Sequence, residues 1–218
     1  MHRPLLLKTL TALIVLALIL SAIDPYDRTT WLLEVAPAVI FLPALIYSYR
    51  LFPLSSLVYV LLSVMALGLI AGGHYSFSRV PLGFWLQEWL DLSRNPYDRI
   101  GHVLQGIVPA LLARELLMRK GRVTGRHLLP FLCVCIAMTL SAVYELVEWA
   151  AALGLGQGAE EFLGMQGDEW DTQADMFCAL LGALAAMTVL VPLHDRSMAA
   201  LGNPAATRQR EAAQRLTD

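Results

Sequence analysis

Six apolar runs, each long enough to cross a bilayer, limit most of what this chain can become. They fall at roughly 5–23, 30–48, 54–73, 99–118, 128–150 and 174–193. Inside lipid every backbone N–H and C=O must find its partner within the segment, so each run is expected to be a helix. The expected fold class is therefore all-α: a polytopic membrane bundle of six transmembrane helices. Only 16% of the 218 residues are charged, against about 25% in a typical soluble domain. Residues 1–200 read as one six-helix domain, followed by a polar, Ala/Arg/Gln-rich tail at 201–218. His2-Arg3 and Lys8 ahead of Leu10–Ala22 imitate the charged and apolar regions of a signal peptide. No small-x-small cleavage site follows, so the segment reads as an uncleaved first helix.

Lys and Arg predict the orientation, because cytoplasmic segments retain positive charge. With the N-terminus inside, 12 of the 16 basic residues fall on cytoplasmic segments. Only Arg28, Arg79, Arg94 and Arg99 fall outside, and the loop from Ala151 to Gln173 has no Lys or Arg. Both termini are expected in the cytoplasm.

Pro37 and Pro43 predict a kink in the second run. Gly68 and Gly72 in the third form a small-xxx-small face, and Ala179, Gly182, Ala183 and Ala186 mark the last run for close packing. The segment at about 74–97 carries Phe84, Trp85 and Trp89, which fit a short interfacial helix or a lid over a site. Cys133, Cys135 and Cys178 read as free thiols in apolar surroundings.

Ionisable residues gather at the span ends that this topology places outside. His74 ends the third run. Asp98 and His102 open the fourth at i and i+4, Glu145 and Glu148 lie late in the fifth at i and i+3, and Asp171 and Asp175 open the sixth. Each pair lies on one helix face. Asp168 precedes the last pair, and Arg94 and Arg99 are the available counter-charges. Close carboxylates cannot all stay ionised unaided; they are protonated, paired or neutralised by a cation. Imidazole with carboxylates suits zinc, manganese or iron, and all-oxygen sets suit magnesium or calcium. The expected metal ligands are His102, Glu145, Asp171 and Asp175, with Asp98 or Glu148 as general base. His74, Asp168 and Arg99 are further site candidates. Each has a plain structural reading too: Asp98 as a helix cap, Glu148-Trp149 as an interface marker, His74 as an interfacial histidine, and Asp168 as a loop or capping residue.

No basic patch interleaved with aromatics points to nucleic acid. No Gly-rich phosphate loop, Gly-x-Ser-x-Gly, His-Glu-x-x-His or Cys-x-x-Cys occurs. Three functions fit. The first is a metal-dependent enzyme working at the outer face on an envelope or lipid-linked substrate. The second is a cation- or proton-linked binding or transport protein. The third is a structural protein with a buried acidic network. The cytoplasmic halves of spans four to six offer few ionisable groups for a transport path.

Asp98-Arg99-Ile100-Gly101-His102, Glu145-x-x-Glu148 and Asp175 followed by Gly182 resemble the VanZ-like membrane proteins over about 95–190. Here Glu148 stands where that family often has Gln, and Ala179 where it often has Asn. That resemblance implies envelope-related chemistry. Gly72-Gly73-His74-Tyr75, Asp98-Arg99-x-x-His102, Glu145-x-x-Glu148-Trp149 and Gln166-Gly167-Asp168-x-Trp170-Asp171-x-Gln173-x-Asp175-Met176 are more closely similar to the YjdF-type bacterial inner-membrane family. This second resemblance spans most of the chain and implies a bacterial inner-membrane location.

Overall fold

The computed structural model describes residues 3–155 and 164–201. The middle of the loop between the fifth and sixth runs, and the tail beyond residue 201, lie outside the described residues. The apolar runs form helices, and no strand occurs among the described residues. In chain order they are α1 (Arg3–Ser21), α2 (Arg28–Leu51), α3 (Ser56–Tyr75), the short α4 (Pro81–Trp89), α5 (Tyr97–Arg119), α6 (Leu128–Leu155) and α7 (Asp171–Ala185). A π turn at Ala186–Leu190 carries α7 on into α8 (Val191–Ala199). With α7 and α8 taken as one span, six helices are long and apolar enough to cross a membrane.

The π turn has a local cause. Pro192 offers no N–H, and in a regular helix its ring would press on the carbonyl one turn earlier. The wider turn ends at Leu190, just before that proline. Pro37 and Pro43, by contrast, lie inside a continuous α2. Asp27 starts α2 by accepting the Thr30 N–H at 2.7 Å on its side chain. That bond holds the Asp27 carboxyl below its ordinary value.

Helix α5 is the hub. It packs on α7, α6 and α3, and α3 gathers α1 and α2. The main core joins Val58 and Tyr59 of α3, Ala110 and Leu111 of α5, Cys133 and Ala137 of α6, and Ala183 of α7. The tightest seam is α5 against α7. A Cβ on Gly106 would lie 2.7 Å from the Ala179 carbonyl carbon and 2.8 Å from the Ala183 nitrogen, and would overlap the Ala179 oxygen. Gly182 meets the Val103 backbone in the same way. Absent side chains let the two backbones touch, as small-residue helix packing requires. On α3 the close approach is at Gly73, whose Cβ would meet Glu34 Cβ of α2 at 3.0 Å. Gly68 instead lends its carbonyl to the Tyr97 hydroxyl at 3.0 Å, and Gly72 is covered by the Phe77 ring.

α4 leaves Phe84, Trp85 and Trp89 exposed, with the two indoles stacked 6.0 Å apart.

Candidate functional site

The N-termini of α5 and α7 meet at one end of the bundle. Asp98 stands in the first turn of α5 and Asp171 in the first turn of α7, where the helix dipoles favour negative charge. One turn deeper, His102 and Asp175 face each other across the Gly106–Ala179 seam. Each lies four residues before its seam residue, on the same face.

Asp98, His102 and Asp175 each offer one ligand atom, and these atoms lie within 4.8 Å of one another. All three residues are buried. His102 Nε2 stands 3.5 Å from Asp98 Oδ1. Its Nδ1 lies 2.7 Å from Gln105 Oε1. An amide oxygen only accepts, so Nδ1 carries the proton and donates to it. In the neutral ring Nε2 then presents its lone pair toward Asp98. Asp175 Oδ1 is buried and has no hydrogen-bond partner. Gln105 thereby fixes the ring orientation and tautomer that a metal-bound imidazole needs.

Glu145 of α6 completes the second side of the imidazole, with Oε1 3.6 Å from His102 Nδ1. Asp171 is drawn away into an arginine clamp. Arg94 bonds Asp171 through Nη1 and donates from Nη2 to the Gly164 carbonyl at 3.0 Å. Arg99 donates to Asp168 at 2.7 Å. Burial acts to lower Arg94, and the bond and charge of Asp171 outweigh it, holding the guanidinium above its ordinary value. Asp171 still keeps one buried oxygen, Oδ2, without a partner. Among the seven carboxylate and histidine residues singled out at these helix ends besides His74, three therefore form a compact ligand group: Asp98, His102 and Asp175. Glu145 borders it, Asp171 and Asp168 pair with arginines, and Glu148 sits half-buried one turn along α6. His74 belongs elsewhere: its Nδ1 lies 3.0 Å from the Ser21 carbonyl and its ring meets Tyr75 edge-on.

The family described as a predicted membrane protein (DUF2238) matches residues 6–196. The chain belongs to this family. A similar protein is the inner membrane protein YjdF of Escherichia coli (strain K12), 50% identical over 200 residues, 92% of this chain and 96% of its own length. No solved structure matches. With the family comes an inner-membrane location, embedded in the lipid bilayer.

In this DUF2238 chain the run Gln166–Asp175 has a geometric rationale. Gln166 exchanges two hydrogen bonds of 3.0 Å with the Asn95 backbone. Gly167 and Gly164 take positive φ angles of 83° and 66°. Asp168 accepts the Trp170 N–H at 3.0 Å, turning the chain into α7. The start of α5 is held by Asn95, whose Oδ1 accepts the Tyr97 N–H at 3.0 Å. Asp98 is thereby free to face His102 instead of capping its own helix.

Sequence reasoning missed Glu34 and Tyr144. Glu34 is the lone acid inside the apolar part of α2 and is 2% exposed. The Tyr144 hydroxyl donates to its Oε2 at 3.2 Å, and the Tyr144 ring stands edge-on to His102 at 6.4 Å. An acid amid the run Trp31–Ile40 was the available signal, since intramembrane charge is costly without a partner.

A second polar cluster holds the opposite end. Glu115 and His194 are fully buried, with His194 Nε2 3.2 Å from Glu115 Oε2. Arg114 donates to His194 Nδ1 at 3.2 Å and pairs with Asp195 at 2.7 Å. Nδ1 accepts, so Nε2 carries the proton toward Glu115. Glu115 also accepts the Ser55 N–H at 2.8 Å and pairs with Arg119. The cluster ties α3, α5 and α8 together and closes the α2–α3 turn.

Proposed function

We propose that the protein is an inner-membrane enzyme whose divalent-cation site faces the periplasm and acts on an envelope or lipid-linked substrate. One observation carries the reading: three ligand atoms from α5 and α7 converge within 4.8 Å, and one of the three residues, Asp175, keeps a buried carboxylate oxygen with no partner. Two carboxylates and one imidazole are a donor set suited to zinc, manganese or iron. In this reading Asp98, His102 and Asp175 hold the cation. A divalent cation held there would supply a water of lowered pKa, a nucleophile at neutral pH. Glu145, bordering the group, is placed to take the proton; Glu148 lies one turn further along the same helix. Asp171 and Asp168 orient the α7 entrance through Arg94 and Arg99. The periplasmic assignment, with both termini in the cytoplasm, rests on the basic residues at the opposite end.

Along α5 the alternative transport reading lacks a continuous path. On α5 no ionisable side chain lies between His102 and Arg114, a rise of about 18 Å. A second reading does have a specific observation behind it: His102 lies between Asp98 and Glu145 at 3.5 and 3.6 Å. A protonated imidazole there would tie the acids into a structural network without metal.

Metal analysis of detergent-purified protein separates the two. The enzyme reading expects one divalent metal per chain, lost in His102→Ala and in Asp175→Ala. Metal-free wild type after purification without chelator, and no uptake of added Zn²⁺ or Mn²⁺, would leave the structural network as the surviving reading.

A further inference from the structure

The three ligand residues are closed off from water: Asp98, His102 and Asp175 are 7%, 5% and 3% exposed. One turn below His102 and Asp175, the backbone contact of Gly106 with Ala179 seals the seam. Above Asp98 lies the segment Gly164–Trp170. A Cβ on Gly164 would stand 3.2 Å from Asp98 Oδ2 and 3.9 Å from Phe77 Cβ. Gly164 is itself buried, so its backbone rests on the carboxylate. A site that takes an ion or a substrate from water has to open. The parts of a fold that open are those with few buried apolar contacts.

Gly164–Trp170 is such a part. None of its residues joins the apolar cores. Gly164, Gln166 and Gly167 hold left-handed backbone angles, with φ of 66°, 48° and 83°. Glycine adopts that region freely, whereas the Cβ of Gln166 makes it strained there. Polar bonds hold the segment down. Gln166 Oε1 accepts the Asn95 N–H and its Nε2 donates to the Asn95 carbonyl, both at 3.0 Å. Asn95 is 1% exposed, and its own side chain donates to the Val80 carbonyl at 3.2 Å and accepts the Tyr97 N–H at 3.0 Å. One half of the pair is therefore fixed in the bundle, while Gln166 is exposed. Arg94 donates to the Gly164 carbonyl at 3.0 Å and Arg99 to Asp168 at 2.7 Å.

We propose that Gly164–Trp170 is a strap that opens and closes over the ligand group, with the Gln166–Asn95 pair as its latch. When the latch parts, Gly164 lifts from Asp98, and His102 one turn deeper becomes reachable from water. The inference deepens the site reading above and rests on it only for what the opening serves.

The test measures how fast diethyl pyrocarbonate acylates each histidine of the full chain in detergent, with the sites located by mass spectrometry. The reagent needs a free imidazole lone pair that it can reach. Exposed His127 and buried His194 are internal references. In chelator-treated wild type, His102 should react at least about tenfold more slowly than His127, because only the open state is attacked. Gln166→Ala removes two neutral hydrogen bonds and should raise the His102 rate about tenfold. Arg99→Gln, which weakens the other anchor, should raise it in the same direction. His127 and His194 should keep their rates in both. Asp27→Ala removes a cap elsewhere and should leave His102 as in the wild type. Thermal unfolding verifies that each variant is folded. His102 as reactive as His127 in the wild type overturns the proposal, as does an unchanged rate in both latch variants. An equal rise in Asp27→Ala overturns it too, because that marks general loosening. Added Zn²⁺ keeps the two readings apart. No protection of His102 by zinc removes the metal reading and leaves the strap standing. Zinc protection with equal rates in wild type and latch variants removes the strap alone.

Discussion

Gly106→Ala tests whether the α5–α7 seam sets the geometry of the site. The substitution leaves every ionisable residue in place. Its new Cβ would lie 2.7 Å from the Ala179 carbonyl carbon, where ordinary contact begins at 3.4 Å. The shortfall is about 0.7 Å at that carbon and larger at the Ala179 oxygen. Both obstacles are backbone, so no rotamer change relieves them, and α5 and α7 must part by on the order of 1 Å. Overpacking of this kind costs about 1–3 kcal/mol. The seam lies one turn below His102 and Asp175, so parting the helices also spreads the ligand group. Metal sites hold their distances to about 0.2 Å. A displacement several times larger should weaken metal binding by tenfold or more, on the order of the 10–100-fold loss seen when supporting residues are removed. The assay is thermal unfolding in detergent together with competitive zinc titration. Gly154→Ala serves as control, because a Cβ there meets nothing within 4 Å. Wild-type melting temperature and wild-type zinc affinity in Gly106→Ala would refute the argument from the seam. A loss of stability with unchanged metal affinity would show that the site does not depend on the seam.

Four further outcomes follow from particular contacts. Gln105→Leu removes the acceptor that fixes the His102 tautomer, so metal affinity in an equilibrium titration should fall by about 10–100-fold with little change in melting; unchanged affinity would mean that another group orients the ring. Glu115→Ala leaves His194, Arg119 and the Ser55 N–H without their shared partner, and should lower stability by about 3–5 kcal/mol while metal content stays constant; a loss of metal would contradict the separation of the two polar clusters. Asn95→Ala deletes the bond to the Tyr97 N–H and should cost about 0.5–2 kcal/mol, visible as faster amide exchange at the start of α5, and exchange no faster than wild type would argue against the cap. Asp27→Ala should destabilise by a similar amount at neutral pH. The Asp27 carboxyl is held below its ordinary value by the Thr30 N–H, so its contribution is complete above about pH 4 and fades as pH falls through the lowered value. The melting difference between wild type and Asp27→Ala should therefore shrink in acid, and a gap that widens there would reverse the assignment.

The sequence by itself determined the membrane class, the helical fold and the count of six spans. Those follow from one-dimensional physics: a long apolar run in lipid has to satisfy its own backbone, and only a helix does so. It also brought Asp98, His102, Glu145 and Asp175 to one end of the bundle, because each pair marks a helix terminus and the spans alternate in direction. The tertiary structure decided which of these residues meet. Asp98 joined His102 and Asp175 because Asn95, three residues earlier, had already taken the capping role. Asp171, on the same face as Asp175, was pulled into the clamp by Arg94, a residue 77 positions away in the chain. Glu34 and Tyr144 entered the neighbourhood through a single side-chain bond between α2 and α6, which no local pattern encodes. His194 reaches Glu115 from α8, just beyond the π turn that precedes Pro192. Helix periodicity tells which residues share a face. It does not tell which faces touch or at what height, and in this bundle those were set by backbone contact at Gly73, Gly106 and Gly182.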